Sequence, residues 1–324
     1  MQPVVRAICC LIALIASASE QTSTASPAAP ENLRVTLLGT GTPNPRPDRF
    51  GPSTLVEAGT ERLVFDCGRS CTTRLWQLRV PLGSVKLFIT HLHSDHTVGI
   101  PDLWLTGWLN LPYGMRKEPF HVWGPQGTSD MMSALQKAYQ EDIRIRREFD
   151  PNLTAQQVGV DAHDITEGLV YEHEGVRITA FKVRHSTIKD AFGYRVDYNG
   201  HSVVLSGDMA PNANFRKYAK GADVVVHEVG VANPELLRRS ERLRELLESH
   251  HSSPEDAGRD FAEIKPKLAV FTHYSLFSGQ GFPEPTVAEI LARTRTVYSG
   301  PLEAGEDLMS ISIGDKVTVQ HLSH

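Results

Sequence analysis

The stretch at residues 88–99, F-I-T-H-L-H-S-D-H-T-V-G, constrains this chain more than any other, because it packs His91, His93, Asp95 and His96 into six residues. Ahead of it, residues 85–89 have the length and β-rich apolar composition of a buried strand. The four metal-capable side chains therefore stand where a strand gives way to a loop. Backbone leaving a strand in this way can aim several imidazoles at one point.

With 324 residues, 40% hydrophobic and 22% charged, the chain can bury a full-sized core, and residues 31–324 read as one large domain. The formal net charge of −5 is mild, and no run of Lys or Arg exceeds two, so nothing is built as a dense phosphate grip. At the N-terminus Arg6 precedes an apolar or small run at 7–18 that ends in Ala16-Ser17-Ala18, the pattern of a secretory leader with a small-residue cleavage site. This segment is shorter than the about 20 residues that span a bilayer, and no later stretch is long and uncharged enough. The expectation is a signal peptide at 1–18, a Ser/Thr/Ala/Pro-rich tether at 19–30, and a periplasmic or secreted protein without a membrane anchor. Cys9 and Cys10 come before the apolar run is complete, so lipidation is not expected. Cys67 and Cys71 then remain, read as two small buried residues beside a turn, although an oxidising compartment would permit a bridge.

Strands are expected at 34–38, 53–57, 62–65, 120–123, 176–183, 193–197, 202–205, 224–226, 268–271, 308–313 and 316–319. Helices are expected at 70–78, 128–139, 212–219, 235–248, 254–264 and 285–294. Residues 98–109 are apolar almost all round, and Trp104 and Trp108, at helical spacing, are read as core. Between 142 and 174 the periodicity fades, and that stretch reads as loop. Hairpins followed by interleaved helices, twice over, describe two sheets packed face to face with helices outside.

Three more potential ligands fall just after expected strands: His185 after 176–183, Asp208 after 202–205 and His273 after 268–271. In a layered α/β protein such strand ends lie together, which is where sites are assembled. Seven N and O donors exceed one four-coordinate zinc and suit two Zn2+ ions sharing a carboxylate. Such a pair can hold a hydroxide near neutral pH and clamp both oxygens of an ester displacement. No Ser or Cys is flagged as a competing nucleophile.

The string F-I-T-H-L-H-S-D-H-T-V-G-I-P-D-L-W resembles the signature of the metallo-β-lactamase-fold hydrolases, and more narrowly the branch of ribonuclease Z and the secreted arylsulfatase-like enzymes. L-G-T-G-T-P-N-P at 38–45, F-D-C-G at 65–68, S-G-D at 206–208 and F-T-H-Y-S at 271–275 extend the likeness over nearly all of 33–320. The resemblance implies an α/β, four-layer αββα sandwich. It implies one zinc at His91, His93 and His185, a second at Asp95, His96 and His273, and Asp208 between them. V-V-H-E-V-G and H-S-S-P-E-D-A place Glu228 and His251 where the branch keeps a pair that protonates the leaving oxygen, with Asp95 helping to hold the nucleophile. His250 is the alternative to His251, and a helix cap at Ser252 or Ser253 is the plainer reading of that motif.

Departures from the branch shape the functional expectation. Ribonuclease Z carries a long arm that grips transfer RNA, commonly between the positions of His185 and Asp208, where this chain has only 22 residues. Arg69 stands where Glu is typical, which leans toward the arylsulfatase-like group, and Met209 stands where Thr is usual. Enzymes active on β-lactams generally lack the aspartate after S-G. The resulting expectation is an exported zinc hydrolase of a phosphodiester or aryl sulfate, with a small-molecule ester rather than nucleic acid as partner, and a homodimer as is common in the family. The alternatives are a lactonase or β-lactamase, a 3′-tRNA-processing endoribonuclease, and a periplasmic zinc-binding protein without turnover.

Overall fold

The computed structural model describes residues 33–321 apart from 111 and 113. The expected signal peptide at 1–18 and tether at 19–30 lie outside the described residues.

Six strands open the first sheet: β1 (Leu33–Gly39), β2 (Ser53–Ala58), β3 (Glu61–Phe65), β4 (Val85–Phe88), β5 (Phe120–Gly124) and β6 (Val160–Asp164). The second sheet takes β7 (Gly168–His173), β8 (Val176–His185), β9 (Ile188–Tyr198), β10 (His201–Leu205), β11 (Val224–Ala232), β12 (Leu268–Phe277) and β13 (Leu302–Ala304). The chain then returns through β14 (Ser310–Ile313) and β15 (Val317–Gln320). The eight-stranded sheet runs β15-β14-β1-β2-β3-β4-β5-β6, and the seven-stranded sheet runs β13-β12-β11-β10-β9-β8-β7.

Alternation along each strand sorts side chains between two cores. Val35, Leu37, Val56 and Phe88 meet Ile178, Phe192, Val226 and Val270 between the sheets. Outside the first sheet, Val64, Leu87 and Val122 pack against Leu75, Trp104 and Met132 from the helices Cys71–Gln77, Ile100–Gly107 and Thr128–Ala138. Outside the second, Val225 and Ala269 pack against Phe215, Phe261 and Ile290 from the helices Ala213–Ala219, Pro254–Ile264 and Val287–Arg295. Four layers result, as expected. All nine residues of β11 are buried, as a central parallel strand covered on both faces should be.

Several boundaries differ from the sequence reading, each for a physical reason. The stretch 142–174 is not loop: most of the helix Gln140–Phe149, the short helix Ala155–Val158, β6 and β7 occupy it. That longer helix buries no residue and is laced by Arg144–Glu148 and Arg146–Asp142 pairs, while β6 and β7 are half-buried edge strands, so none of them has a strong apolar period. The helix expected at 235–248 is two helices, Pro234–Arg239 and Glu241–His250, broken where the Ser240 hydroxyl accepts the Leu243 N–H at 3.2 Å. Cys67 and Cys71 are buried free thiols. Where an arm would emerge, β8 and β9 are joined by Ser186-Thr187 alone, with the Ser186 N–H donating to the Ser249 carbonyl at 2.7 Å.

Candidate metal centre

Strands β8, β10, β11 and β12 run in one direction, since β8 and β10 are both antiparallel to β9 and the other neighbours are parallel. Their C-terminal halves converge with the loop that follows β4. That loop is tied across the sheets: the Tyr194 hydroxyl donates to the Ile89 carbonyl at 2.7 Å and the Phe192 N–H to the Thr90 carbonyl at 2.9 Å. One turn of helix, Ser94–Thr97, then sets Asp95 and His96 side by side.

The remaining donors arrive by local distortion of the sheet. His185 ends β8 where the pairing with β9 slips between Val183 and His185. Asp208 follows Gly207, whose φ of +59° and close approach to the Phe192 carbonyl suit glycine. His273 was expected after a strand but lies inside one. Glu228 pairs with Thr272 and Val229 with Tyr274, leaving His273 as the extra residue of a β-bulge with φ +45°. The bulge turns an imidazole that regular pleating would point elsewhere.

All seven expected ligands come together. His91 Nε2 is 2.9 Å from His93 Nδ1, which is 3.4 Å from His185 Nε2. Asp208 Oδ2 lies 3.5 Å from His96 Nε2 and 3.3 Å from His273 Nε2, and Asp95 Oδ2 lies 3.5 and 3.4 Å from the same two nitrogens. Among the groups of donor atoms that result are His91/His93/His185, Asp95/His96/His273 and His91/His96/Asp208, each within a 4.8 Å span, and His251 joins Asp208 and His273 in another. Tetrahedral bonds of about 2.0–2.1 Å put donors about 3.3 Å apart, so these residues fit small divalent ions. A further sign of fit is His96 Nε2, a buried ring nitrogen with no hydrogen-bond partner, directed between two carboxylates.

The surrounding electrostatics favour ligand-competent states. Burial pushes the His91 imidazole well below its ordinary value and brings His185 down to about 4, so both are neutral. Their outer nitrogens are engaged, His91 Nδ1 with Thr90 Oγ1 at 3.0 Å and His185 Nδ1 with the His250 carbonyl at 2.8 Å, leaving each Nε2 lone pair turned inward. Burial also works against the Asp208 carboxylate, but the His273 and His96 imidazoles outweigh it and hold the group well below its usual range. For His96 burial is outweighed by Asp66 and Asp208, which favour the imidazolium; a proton or a cation at Nε2 answers the same negative field.

Asp66 is the residue the sequence reading missed. At φ +59° just past β3 it accepts the Thr90 N–H and hydroxyl, each at 2.8 Å, and stands 2.7 Å from His96 Nδ1. It orients a ligand without being one, and its only signal was the D of F-D-C-G at a strand end. Glu228 and His251, by contrast, are brought together as expected. Buried Glu228 binds His251 Nδ1 at 3.0 Å through one oxygen and accepts the Ser252 N–H at 2.6 Å through the other. The helix-cap reading holds as well: the Ser253 hydroxyl accepts the Asp256 N–H ahead of Pro254. Met209 is buried and its carbonyl accepts the Ser252 hydroxyl at 2.8 Å, which fixes the same turn. A cleft of about 270 Å³ opens over the centre, lined by Asn44, His93, Asp95, Asp208, His251 and Phe277 among others.

The family described as the beta-lactamase superfamily domain matches residues 61–274. Ribonuclease Z of Mycobacterium sp. strain KMS is 34% identical over 291 residues, covering 89% of this chain and 99% of that protein. Ribonuclease Z of Mycobacterium avium strain 104 is 36% identical over 284 residues, covering 87% and 98%. Among solved structures, the metallo-beta-lactamase fold protein YhfI from Bacillus subtilis matches with a TM-score of 0.67 at 17% identity over 87% of this chain and 99% of that one. The short form of human tRNase Z matches with a TM-score of 0.64 at 24% identity, covering 87% and 99%. These last two likenesses concern the fold. The first two correct the expectation of a small-molecule ester partner in place of nucleic acid: proteins named for RNA cleavage align with this chain over nearly their whole length. The short β8–β9 turn and the mild net charge of this chain do not outweigh that likeness.

Proposed function

The chain belongs to the β-lactamase superfamily, in its ribonuclease Z branch, and from that membership we propose a metal-dependent phosphodiesterase acting on RNA. The observation that carries the reading is the buried Glu228–His251 pair, with His251 lining the same cleft as the metal-binding residues. Two zinc ions are the proposed cofactors, one at His91, His93 and His185 and the other at Asp95, His96 and His273, with Asp208 reaching both. Bound there, they would lower the pKa of water to supply a nucleophile and polarise the phosphoryl oxygens.

The chain's own residues do the rest. Asp66 holds the His96 ring so that Nε2 faces the Asp95 and Asp208 carboxylates. Asp95 offers a carboxylate oxygen at the floor of the cleft, able to hold the proton of an attacking water. Glu228 outweighs the effect of burial and raises the pKa of His251, so the imidazolium is available to give a proton to the departing ribose oxygen. The leader expected at 1–18 would place this activity outside the cytoplasm, which N-terminal sequencing of secreted protein checks.

The test is to incubate metal-loaded protein with a structured RNA bearing a 3′ extension, alongside an aryl phosphodiester and an aryl sulfate, with and without chelator. Chelator-sensitive RNA cleavage that falls about 10²–10⁴-fold in His251→Ala supports the reading. Full metal occupancy with intact RNA and turnover of the aryl sulfate alone would overturn it.

A further inference from the structure

On the edge of the first sheet, away from the catalytic residues, the parallel pairing of β5 with β6 sets His121 opposite Asp161 and Trp123 opposite His163. All four side chains share one face, two residues apart on each strand. Asp161 Oδ2 lies 3.0 Å from His121 Nδ1 and 3.1 Å from His163 Nε2. These three donor atoms fall within the span of a metal-binding group, and none of the three residues belongs to the catalytic cluster. We propose that His121, Asp161 and His163 bind a borderline divalent cation of the Zn2+ class, as a structural clip that fastens the edge strand β6 to β5.

Two observations beyond the cluster support the cation. The Trp123 indole stacks on both imidazoles, with ring centroids 5.9 Å from His121 at 22° and 5.3 Å from His163 at 19°. Trp123 is itself fixed against Phe88 at 4.9 Å, so the rotamers of both potential ligands are set from the core outward. The second is the far side of His121, where Glu118 Oε2 lies 3.9 Å from Nε2. With a cation on Nδ1 the proton sits on Nε2 and faces Glu118, the carboxylate–histidine–metal arrangement that orients ligands in zinc sites. Three protein donors with solvent at the fourth position suit a half-exposed tetrahedral ion. Parallel strands lack a hairpin to hold them in register, and a shared ion supplies the missing cross-link.

The test uses the full chain, dialysed against micromolar Zn2+ with metal content measured per chain, and titrated with Ni2+ while following tryptophan emission. Wild type should retain one more Zn2+ than His163→Ala, and Ni2+ should quench an emission component that the variant does not lose. RNA cleavage should be unchanged in that variant, so this outcome stands apart from the fate of the catalytic reading. Asp161→Asn keeps the shape of the site and decides the matter if His163→Ala folds poorly by circular dichroism. Glu118→Gln should weaken the extra ion by about tenfold. Equal Zn2+ content and equal quenching in wild type, His163→Ala and Asp161→Asn would overturn the proposal.

Discussion

At the scale of single residues, the centre depends on buried groups that hold other side chains in place. Asp66 binds His96 and Thr90 together, so Asp66→Ala frees a ligand ring and leaves Thr90 without its acceptor. Metal affinity, measured by competition with a chelator, should fall about 10–100-fold while the fold is retained. Glu228 acts on His251, the proposed proton donor, instead. Burial alone would lower the pKa of His251, but the Glu228 charge and hydrogen bond outweigh it and raise the folded-state value above the ordinary imidazole range. The imidazolium is populated below that raised value and lost as pH rises through it. In Glu228→Gln the value drops, so the basic limb of the pH–rate profile for RNA cleavage should move to lower pH. A limb that stays in place would remove His251 as the acid. Asp66 and Glu228 both stand in recognisable strings, F-D-C-G and V-V-H-E-V-G, and differ in legibility because the resemblance gives a chemical role to Glu228, whereas the hold of Asp66 on His96 and Thr90 shows only in the folded chain.

At the scale of elements, the sheet delivers its ligands at irregularities. The bulge at His273 and the tight backbone at Gly207 both depart from regular pleating beside a potential ligand. A Cβ at Gly207 would meet the Phe192 carbonyl at 2.6 Å in a backbone conformation that L residues resist. Gly207→Ala should therefore cost about 1–3 kcal/mol in urea unfolding and reduce RNA cleavage more than it reduces stability, since Asp208 moves with it. Strand periodicity read from the sequence located β1 to β5 closely, because each is a short run rich in apolar residues, such as Leu33, Val35 and Leu37 in β1 and Leu63, Val64 and Phe65 in β3. It stopped short in β11 and β12, where His227, Glu228, Thr272 and His273 interrupt the apolar run inside continuing strands. The helix Gln140–Phe149 escaped for the opposite reason, having no fully buried residue and only Ile143 packed part-way onto the core.

At the scale of the whole molecule, the two ends of the described chain are locked through Asp307. Its carboxylate accepts the Thr40 N–H and hydroxyl, each at 2.9 Å, the Phe50 N–H at 2.8 Å and Arg74 Nη2 at 3.0 Å. The Arg74–Asp307 pair is nearly buried, so Asp307→Ala leaves a desolvated guanidinium and orphaned donors around the loop that leads into the cleft. A loss of about 3–5 kcal/mol in denaturant unfolding is expected, with cleavage of RNA weakened in the fraction that remains folded. Nothing near Asp307 in sequence announces this role, since its partners are 233 to 267 positions away.

The sequence by itself determined the candidate donors and the layered fold, because ligand chemistry and strand periodicity are local properties carried by neighbouring residues, and its motif strings marked the branch by resemblance. His91, His93, Asp95 and His96 are legible for the same reason as β4: six consecutive residues suffice to show them. Only the tertiary structure decided that Asp66 steadies His96, that a bulge turns His273 inward, and that His121, Asp161 and His163 meet across two strands. Each of those is a distance between residues far apart in the chain, fixed by sheet register and packing rather than by spacing.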